Sequence, residues 1–161
     1  MPAVAFPAFT PPSWPATAPA DDYVLTAQTA WRRRDVATVR DVLSHQLEAR
    51  AGLCAAAVTF EGLLAESQLW FELGDTRQAI ALLDPSLSSL PERESYQMSS
   101  PVEAATMVRV MALRALLADQ AADRPGAAKW AQVVLALWPR AESHHDHTIR
   151  RMHDLADHFT P

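Results

Sequence analysis

From residue 21 onward, apolar residues recur every three or four positions along the chain. The strict alternation expected of a half-buried strand is absent. The stretch VATVRDVLSHQLEAR, for example, places Val36, Val39, Leu43 and Leu47 on one face of a helix. Helix-starting and helix-ending residues divide this region into seven segments joined by short turns. We therefore predict an all-α protein.

The predicted helix boundaries follow capping residues, glycines and prolines. Ser100, Pro101 and Glu103 form the clearest start, with a cap, a proline at the first helical position and an acid in the first turn. Pro85 is expected to kink or end its helix near Leu83, because it deletes a backbone hydrogen bond and clashes with the preceding turn. In chain order, the predicted helices run from about 22 to 34, 36 to 50, 53 to 73, 76 to 83, 101 to 121, 124 to 138 and 147 to 159.

The first 20 residues differ from the rest. The stretch FPAFTPPSWP carries Phe6, Phe9 and Trp14 among four prolines, so it is predicted to be neither a helix nor a central strand. It is typical of an extended, polyproline-like arm. A solvated linker would be polar, so we interpret residues 1–20 as an anchor that lies against the helical part or enters a partner.

Composition narrows the class of protein. The chain has 161 residues, of which 49% are hydrophobic and 20% charged, and this favours one folded domain. A net charge of −5 argues against a nucleic-acid binder. Neither a signal peptide nor a membrane span is predicted, and the lone Cys54 is expected to be a small buried hydrophobe. These features favour a soluble cytoplasmic protein.

Three aspartates, Asp35, Asp75 and Asp123, each end one predicted helix and start the next, and they lie 40 and 48 residues apart. Aligned on them, Gln28 matches Gln68, and Trp31 matches Phe71. Small residues recur eight positions before each aspartate and four positions after two of them. An internal period of this kind is typical of helical repeats.

The stretch ESQLWFELGDTRQAIALLDPSLSSLP, residues 66–91, resembles a tetratricopeptide repeat (TPR). The residues that carry the resemblance are Trp70, Gly74, Asp75, Ala79, Leu83, Leu87 and Pro91. Residues 123–139 resemble the second half of such a repeat through Ala127, Leu135 and Pro139, and the resemblance covers roughly residues 21–141. Pro85 and spacings longer than the 34-residue period depart from the family pattern. A plain helical bundle is the alternative.

The resemblance implies stacked helix pairs whose first helices line a concave, peptide-binding surface. Residues 142–161 would then form a capping helix, with Ile149, Met152, Leu155, Ala156 and Phe159 inward. Glutamines can bond the backbone of an extended peptide, and aromatic faces suit proline rings. Alternatively, Trp31 and Phe71 belong to the core. The partner-binding residues implied, with the arm included, are Phe6, Phe9, Trp14, Val24, Gln28, Trp31, Leu64, Gln68, Phe71, Arg109 and Leu116.

A histidine cluster near the C-terminus suggests a different function. In SHHDHTIRRMHDLADHF, His144 and His147 have helical ligand spacing if both are helical, but no closed four-ligand pattern appears. They remain weak candidates, and no metal or other cofactor is predicted. Motifs of nucleophilic or phosphate-transfer enzymes are also missing, so we expect a non-catalytic protein.

The sequence therefore favours a protein–protein interaction adaptor, or an accessory subunit of a larger, bacterial-type assembly. It would bind a protein partner through the concave groove and the arm. Two alternatives remain, a metal-binding helical protein that uses the C-terminal histidines and a peripheral subunit docked on a membrane complex.

Overall fold

A computed structural model describes residues 23–50, 59–92, 100–138 and 146–157. Within these ranges the chain forms seven α-helices and no strand, which confirms the all-α prediction for the described residues. None of the described helices is long and apolar enough to cross a membrane. In chain order the helices are α1 (Tyr23–Arg32), α2 (Val36–Arg50), α3 (Phe60–Glu72), α4 (Thr76–Ser88), α5 (Pro101–Gln120), α6 (Arg124–Leu137) and α7 (Asp146–Asp157), with a 3₁₀ turn at Leu90–Glu92 after α4.

The same turn closes three helix hairpins, α1–α2, α3–α4 and α5–α6. In the second hairpin, the Gly74 amide donates to the Phe71 carbonyl at 2.9 Å, and the Asp75 amide donates to the Trp70 carbonyl at 2.9 Å. These two bonds define a Schellman motif, in which the residue after the helix adopts a left-handed conformation. The left-handed residues of the three turns are Arg34, Gly74 and Ala122, with φ of 60°, 77° and 61°.

Each turn ends on an aspartate that caps the following helix. The Asp75 carboxylate accepts from the Gln78 amide at 3.1 Å, and the Asp123 carboxylate accepts from the Gly126 amide at 3.1 Å. Asp35 accepts from the Thr38 amide at 3.1 Å and from the Thr38 hydroxyl at 2.6 Å. One residue therefore completes the C-terminal motif of one helix and satisfies a free amide of the next.

Helix contacts follow the order of the chain. Beyond its own hairpin partner, α1 packs mainly on α3, and α3 packs on α5. Helix α5 also contacts α4 and α7, and α7 contacts α6. A single hydrophobic cluster runs through these helices, and α5 contributes most of its length to it, from Met107 to Ala118. The first helices of the three hairpins therefore lie side by side.

Polar contacts link neighbouring hairpins. The Tyr23 hydroxyl of α1 donates to Glu66 of α3 at 2.9 Å, and Glu66 is completely buried. Arg114 of α5, 8% exposed, donates from Nε to Asp84 of α4 at 2.6 Å and from Nη2 at 3.2 Å. Arg151 of α7 pairs with Asp119 of α5 at 2.7 Å. Glu66 and Arg114, the buried members of these pairs, thus lie where one hairpin meets the preceding one.

One predicted helix start and one predicted cap need correction. Helix α3 begins at Phe60 and not near residue 53, because Thr59 is extended (φ −72°, ψ 147°) and its hydroxyl accepts from the Gly62 amide. Residues 51–58 lie outside the described ranges. Helix α5 begins at Pro101 as predicted, but the Ser100 side chain makes no capping hydrogen bond.

Pro85 does not end α4 at Leu83, because the helix continues to Ser88. The carbonyl that loses its amide partner belongs to Ala81, and both Ala81 and Pro85 lie on the exposed face, where water can solvate that carbonyl. Continuation of the helix buries Ser86 and Leu87, which are 3% and 4% exposed. Burial therefore outweighs the missing hydrogen bond.

The apolar stripe of α7 faces inward as predicted, with Met152, Leu155 and Ala156 buried and Ile149 half-buried. Phe159 lies outside the described residues. On the other face of α7, where charged side chains are expected to meet water, Arg150, Asp154 and Asp157 are exposed. Arg151 instead makes the ion pair with Asp119, and this contact was not predicted.

The left-handed positions permit a paired stability test. No atom lies within 4 Å of a Cβ placed on Gly74, so Gly74→Ala would introduce backbone strain without a clash. We expect it to lower the free energy of unfolding by about 1 kcal/mol. Ala122→Gly relieves the same strain and should raise that free energy by roughly 0.5–1 kcal/mol, because the flexible glycine offsets part of the gain. Urea denaturation measures both, and a shift of the same sign in both variants would contradict the motif.

The cap at Asp35 predicts a pH effect. The hydrogen bonds from the Thr38 hydroxyl and amide lower the pKa of Asp35 below its ordinary value of 3.8. The stability contributed by this carboxylate is therefore present above pH 3.8 and is lost as the pH falls through its folded-state pKa. Thr38→Val removes the hydroxyl bond and should raise the pKa of Asp35, as measured by NMR titration of its carboxyl carbon. Ser44→Ala, at an exposed position on α2, is the control and should leave that pKa unchanged.

The Arg114–Asp84 ion pair predicts that removing Asp84 lowers the free energy of unfolding more than removing an exposed aspartate does. Asp84→Ala leaves a buried guanidinium without its acceptor, although the Asp84 side chain is 46% exposed and water can replace part of the contact. We expect the free energy of unfolding to fall by about 1–3 kcal/mol in urea denaturation. Asp41→Ala, at an exposed position on α2, should change it by less than about 0.5 kcal/mol. Equal losses in the two variants would show that the pair contributes nothing specific.

Candidate functional site

The predicted partner-binding residues of the helical region lie on α1, α3 and α5, the three first helices that pack side by side. Arg109 is exposed. Leu64 is only 7% exposed and belongs to the core, so it offers little surface to a partner. The remaining members are half-buried: Val24, Gln28, Trp31, Gln68, Phe71 and Leu116. Phe6, Phe9 and Trp14 lie outside the described residues.

Gln28, Trp31, Gln68 and Phe71 occupy matching positions on α1 and α3, and we call them the glutamine–aromatic patch. Trp31 and Phe71 pack against the hydrophobic core but remain partly exposed. Each ring thus has a buried portion and an exposed portion, and the concave groove stays a prediction. Because α1 contacts α3, the two halves of the patch lie on adjacent helices.

Along each helix, further residues extend the patch into a stripe. The predicted partner-binding residues did not include them. On α1 the stripe consists of Leu25, Gln28 and Arg32, spaced at three and four residues, and Leu25 is 50% exposed. On α3 the matching positions are Ala65, Gln68 and Glu72. The sequence signal that identifies these additional residues is their spacing, three residues before and four residues after each glutamine. An exposed arginine and an exposed glutamate thus border the patch at one end.

The patch does not extend onto the third hairpin. The position that holds Trp31 in α1 and Phe71 in α3 holds Asp119 in α5, and its carboxylate is engaged by Arg151 of α7. Leu116, at the glutamine position, packs against the core. Helix α7 therefore closes the row at α5, and the surface with recurring chemistry is confined to the first two hairpins.

The chemistry of the patch suits recognition of a polypeptide. Each glutamine side chain offers a carbonyl acceptor and an amide donor, which is the pair needed to bond both backbone groups of an extended strand. The partly exposed rings offer flat apolar surface beside these amides. The part-buried hydrogen bond from Tyr23 to Glu66 joins α1 to α3, the two helices that carry the patch.

The histidine candidates are only partly described. His147 lies exposed in the first turn of α7, whereas His144 is outside the described residues. Among the residues that the structure places, no group of three or more histidine, cysteine, aspartate or glutamate side chains could hold a metal ion. The proposal of a metal site therefore gains no geometric support from the described part of α7.

Comparison with known proteins provides no assignment. No protein-family model matches the chain, no curated protein matches it, and no solved structure matches it.

Proposed function

We propose that this chain is a non-catalytic adaptor or accessory subunit, and that the glutamine–aromatic patch binds an extended segment of a protein partner. The observation that carries the proposal is the recurrence of a glutamine and an aromatic residue, at the same register and with the same partial exposure, on two adjacent helices. Residues that serve only to fill a core are seldom paired with half-exposed amides, which gain nothing from burial.

The proposal includes a TPR-like stacking of the three hairpins. It is supported by the three identical Schellman turns with their capping aspartates, and by the contacts of α1 with α3 and of α3 with α5. In such a stack each hairpin buries the apolar face of its neighbour, and the first helices form one continuous surface. Helix α7 serves as the C-terminal cap, and residues 1–20 provide an additional anchoring segment.

The proposed ligand is an internal, proline-containing segment and not a free C-terminus. TPR-like proteins that clamp a terminal carboxylate use lysine and asparagine side chains in the groove. This chain has no asparagine, and its one lysine, Lys129, lies on α6 with its ammonium 5.6 Å from the Trp130 ring centre. The patch instead presents glutamine amides and aromatic rings, which match an extended backbone with proline rings.

Selection from a library of extended proline-containing peptides tests this proposal. We expect the full chain to select peptides, and the double variant Gln28→Ala with Gln68→Ala to bind them about tenfold more weakly, since each lost hydrogen bond is worth roughly 0.5–1.5 kcal/mol. Gln132→Ala, at an exposed position on α6, is the matched control and should bind as the parent does.

Isothermal titration of each variant with the selected peptide measures these affinities, and circular dichroism checks that each variant is folded. Failure to select any peptide would overturn the proposal. So would an equal loss of affinity in the Gln132→Ala control.

A further inference from the structure

Among the described residues, one side of the first hairpin is more exposed than the matching side of the other two hairpins. Positions 26, 29 and 30 of α1 correspond to Glu66, Leu69 and Trp70 of α3, which are between 0% and 5% exposed. They also correspond to Arg114, Leu117 and Ala118 of α5, which are between 0% and 8% exposed. In α1, by contrast, Thr26 is exposed and Thr29 is half-buried, whereas Ala30 is buried at 6% exposure, like its counterparts.

The contacts explain this difference. Glu66 takes its hydrogen bond from Tyr23 of the first hairpin, and Arg114 pairs with Asp84 of the second. This side of the second and third hairpins therefore faces the hairpin that precedes it, and the described residues place no hairpin against the same side of the first. In its place lies an open depression of about 500 Å³, lined by Leu25, Thr26, Thr29, Ala30, Arg33, Asp35 and Thr38, which we call the N-terminal flank.

The flank differs chemically from its counterparts. Thr29 stands where the other hairpins have Leu69 and Leu117, and Arg33 stands where they have Leu73 and Ala121. Hydroxyl and guanidinium groups donate hydrogen bonds, so this side is suited to a cover whose backbone carbonyls need donors. A polyproline-type segment has that property, because it makes no internal backbone hydrogen bonds.

The chain carries such a segment directly before α1. Residues 1–20 contain no charged side chain, so burying them costs no desolvation of charge, and they include Phe6, Phe9 and Trp14. Eight residues separate Trp14 from Tyr23, and at about 3.1 Å each they reach about 25 Å in an extended form. Helix α1 has 10 residues, which is about 15 Å of helix. The segment can therefore turn back and run the full length of the flank.

We propose that residues 1–20 fold back in cis and cover the N-terminal flank, taking the place of a preceding hairpin. The proposal uses the stacked-hairpin arrangement, but it does not depend on peptide binding by the glutamine–aromatic patch. A failure of one proposal is therefore distinguishable from a failure of the other, because Gln28 and Gln68 are unchanged in the tests below.

Disulfide trapping in the full chain tests the position of the segment. In a Cys54→Ala background, Thr29→Cys is combined in turn with Ala8→Cys, Ser13→Cys or Ala16→Cys. The control combines the same three substitutions with Ala136→Cys, at an exposed position on α6. After mild oxidation at low protein concentration, mass spectrometry and non-reducing gels count intrachain bonds. We expect at least one Thr29→Cys pair to be trapped about tenfold more than its control, because a segment seated on the flank has a higher effective concentration at Thr29 than at Ala136.

Equal trapping with both partner positions would overturn the proposal, since it would mean that the segment has no preferred seat. Disulfide-linked dimers in place of intrachain bonds would overturn it as well, and would assign the flank to a second copy of the chain.

A thermodynamic cycle provides an independent test. Thr29→Lys places a charge in the flank. In the full chain we expect it to lower the urea concentration at the midpoint of unfolding. After deletion of residues 2–20 we expect it to have little effect. The ratio of the unfolding constants of parent and Thr29→Lys should differ about tenfold between the two backgrounds. An identical effect of Thr29→Lys in both backgrounds would exclude cover by the segment.

Discussion

The fold depends on one local device, an aspartate that completes the C-terminal motif of one helix and caps the next. Its amide donates to the carbonyl five residues earlier, at 3.0, 2.9 and 2.8 Å for Asp35, Asp75 and Asp123. Its carboxylate then accepts an amide from the first turn of the following helix. Because both bonds belong to one residue, the two helices leave each turn in a similar geometry. Three similar hairpins result, and their first helices can lie in one row.

Much of this organisation can be predicted from the sequence, because the signals are local. Asp75 and Asp123 appear with Gly74 and Pro125 beside them, and α2 has the predicted bounds of 36 to 50. The left-handed residues Arg34 and Ala122 could not be predicted, since neither is a glycine and only the following aspartate marks the turn. The errors at Thr59 and Pro85 have different causes. The Thr59 hydroxyl caps α3, whereas burial of Ser86 and Leu87 continues α4 past Pro85.

The candidate site is predictable to a lesser extent, and for a physical reason. Spacing places Gln28 with Gln68 and Trp31 with Phe71, but it does not tell how deeply each residue packs. Leu64 is buried although its helical position neighbours the patch, and Leu116 packs on the core. The Arg151–Asp119 pair joins residues 32 positions apart, and no local pattern indicates it. Contacts between distant helices therefore set the limits of the surface.

The helices also differ in how many neighbours they pack against, so local stability is expected to differ along the chain. Helix α5 packs against four other helices and is buried over most of its length. The first hairpin, by contrast, contacts the other helices mainly where α1 packs on α3. The α1–α3 contact is less extensive than the contacts of α5, so we expect the α1–α2 hairpin to open locally at a lower free energy than the region around α5. Gln28 and Trp31 lie on that hairpin, whereas Gln68 and Phe71 lie on α3, which packs on α5. The two halves of the patch therefore belong to parts of the molecule that differ in how extensively they pack against the remaining helices.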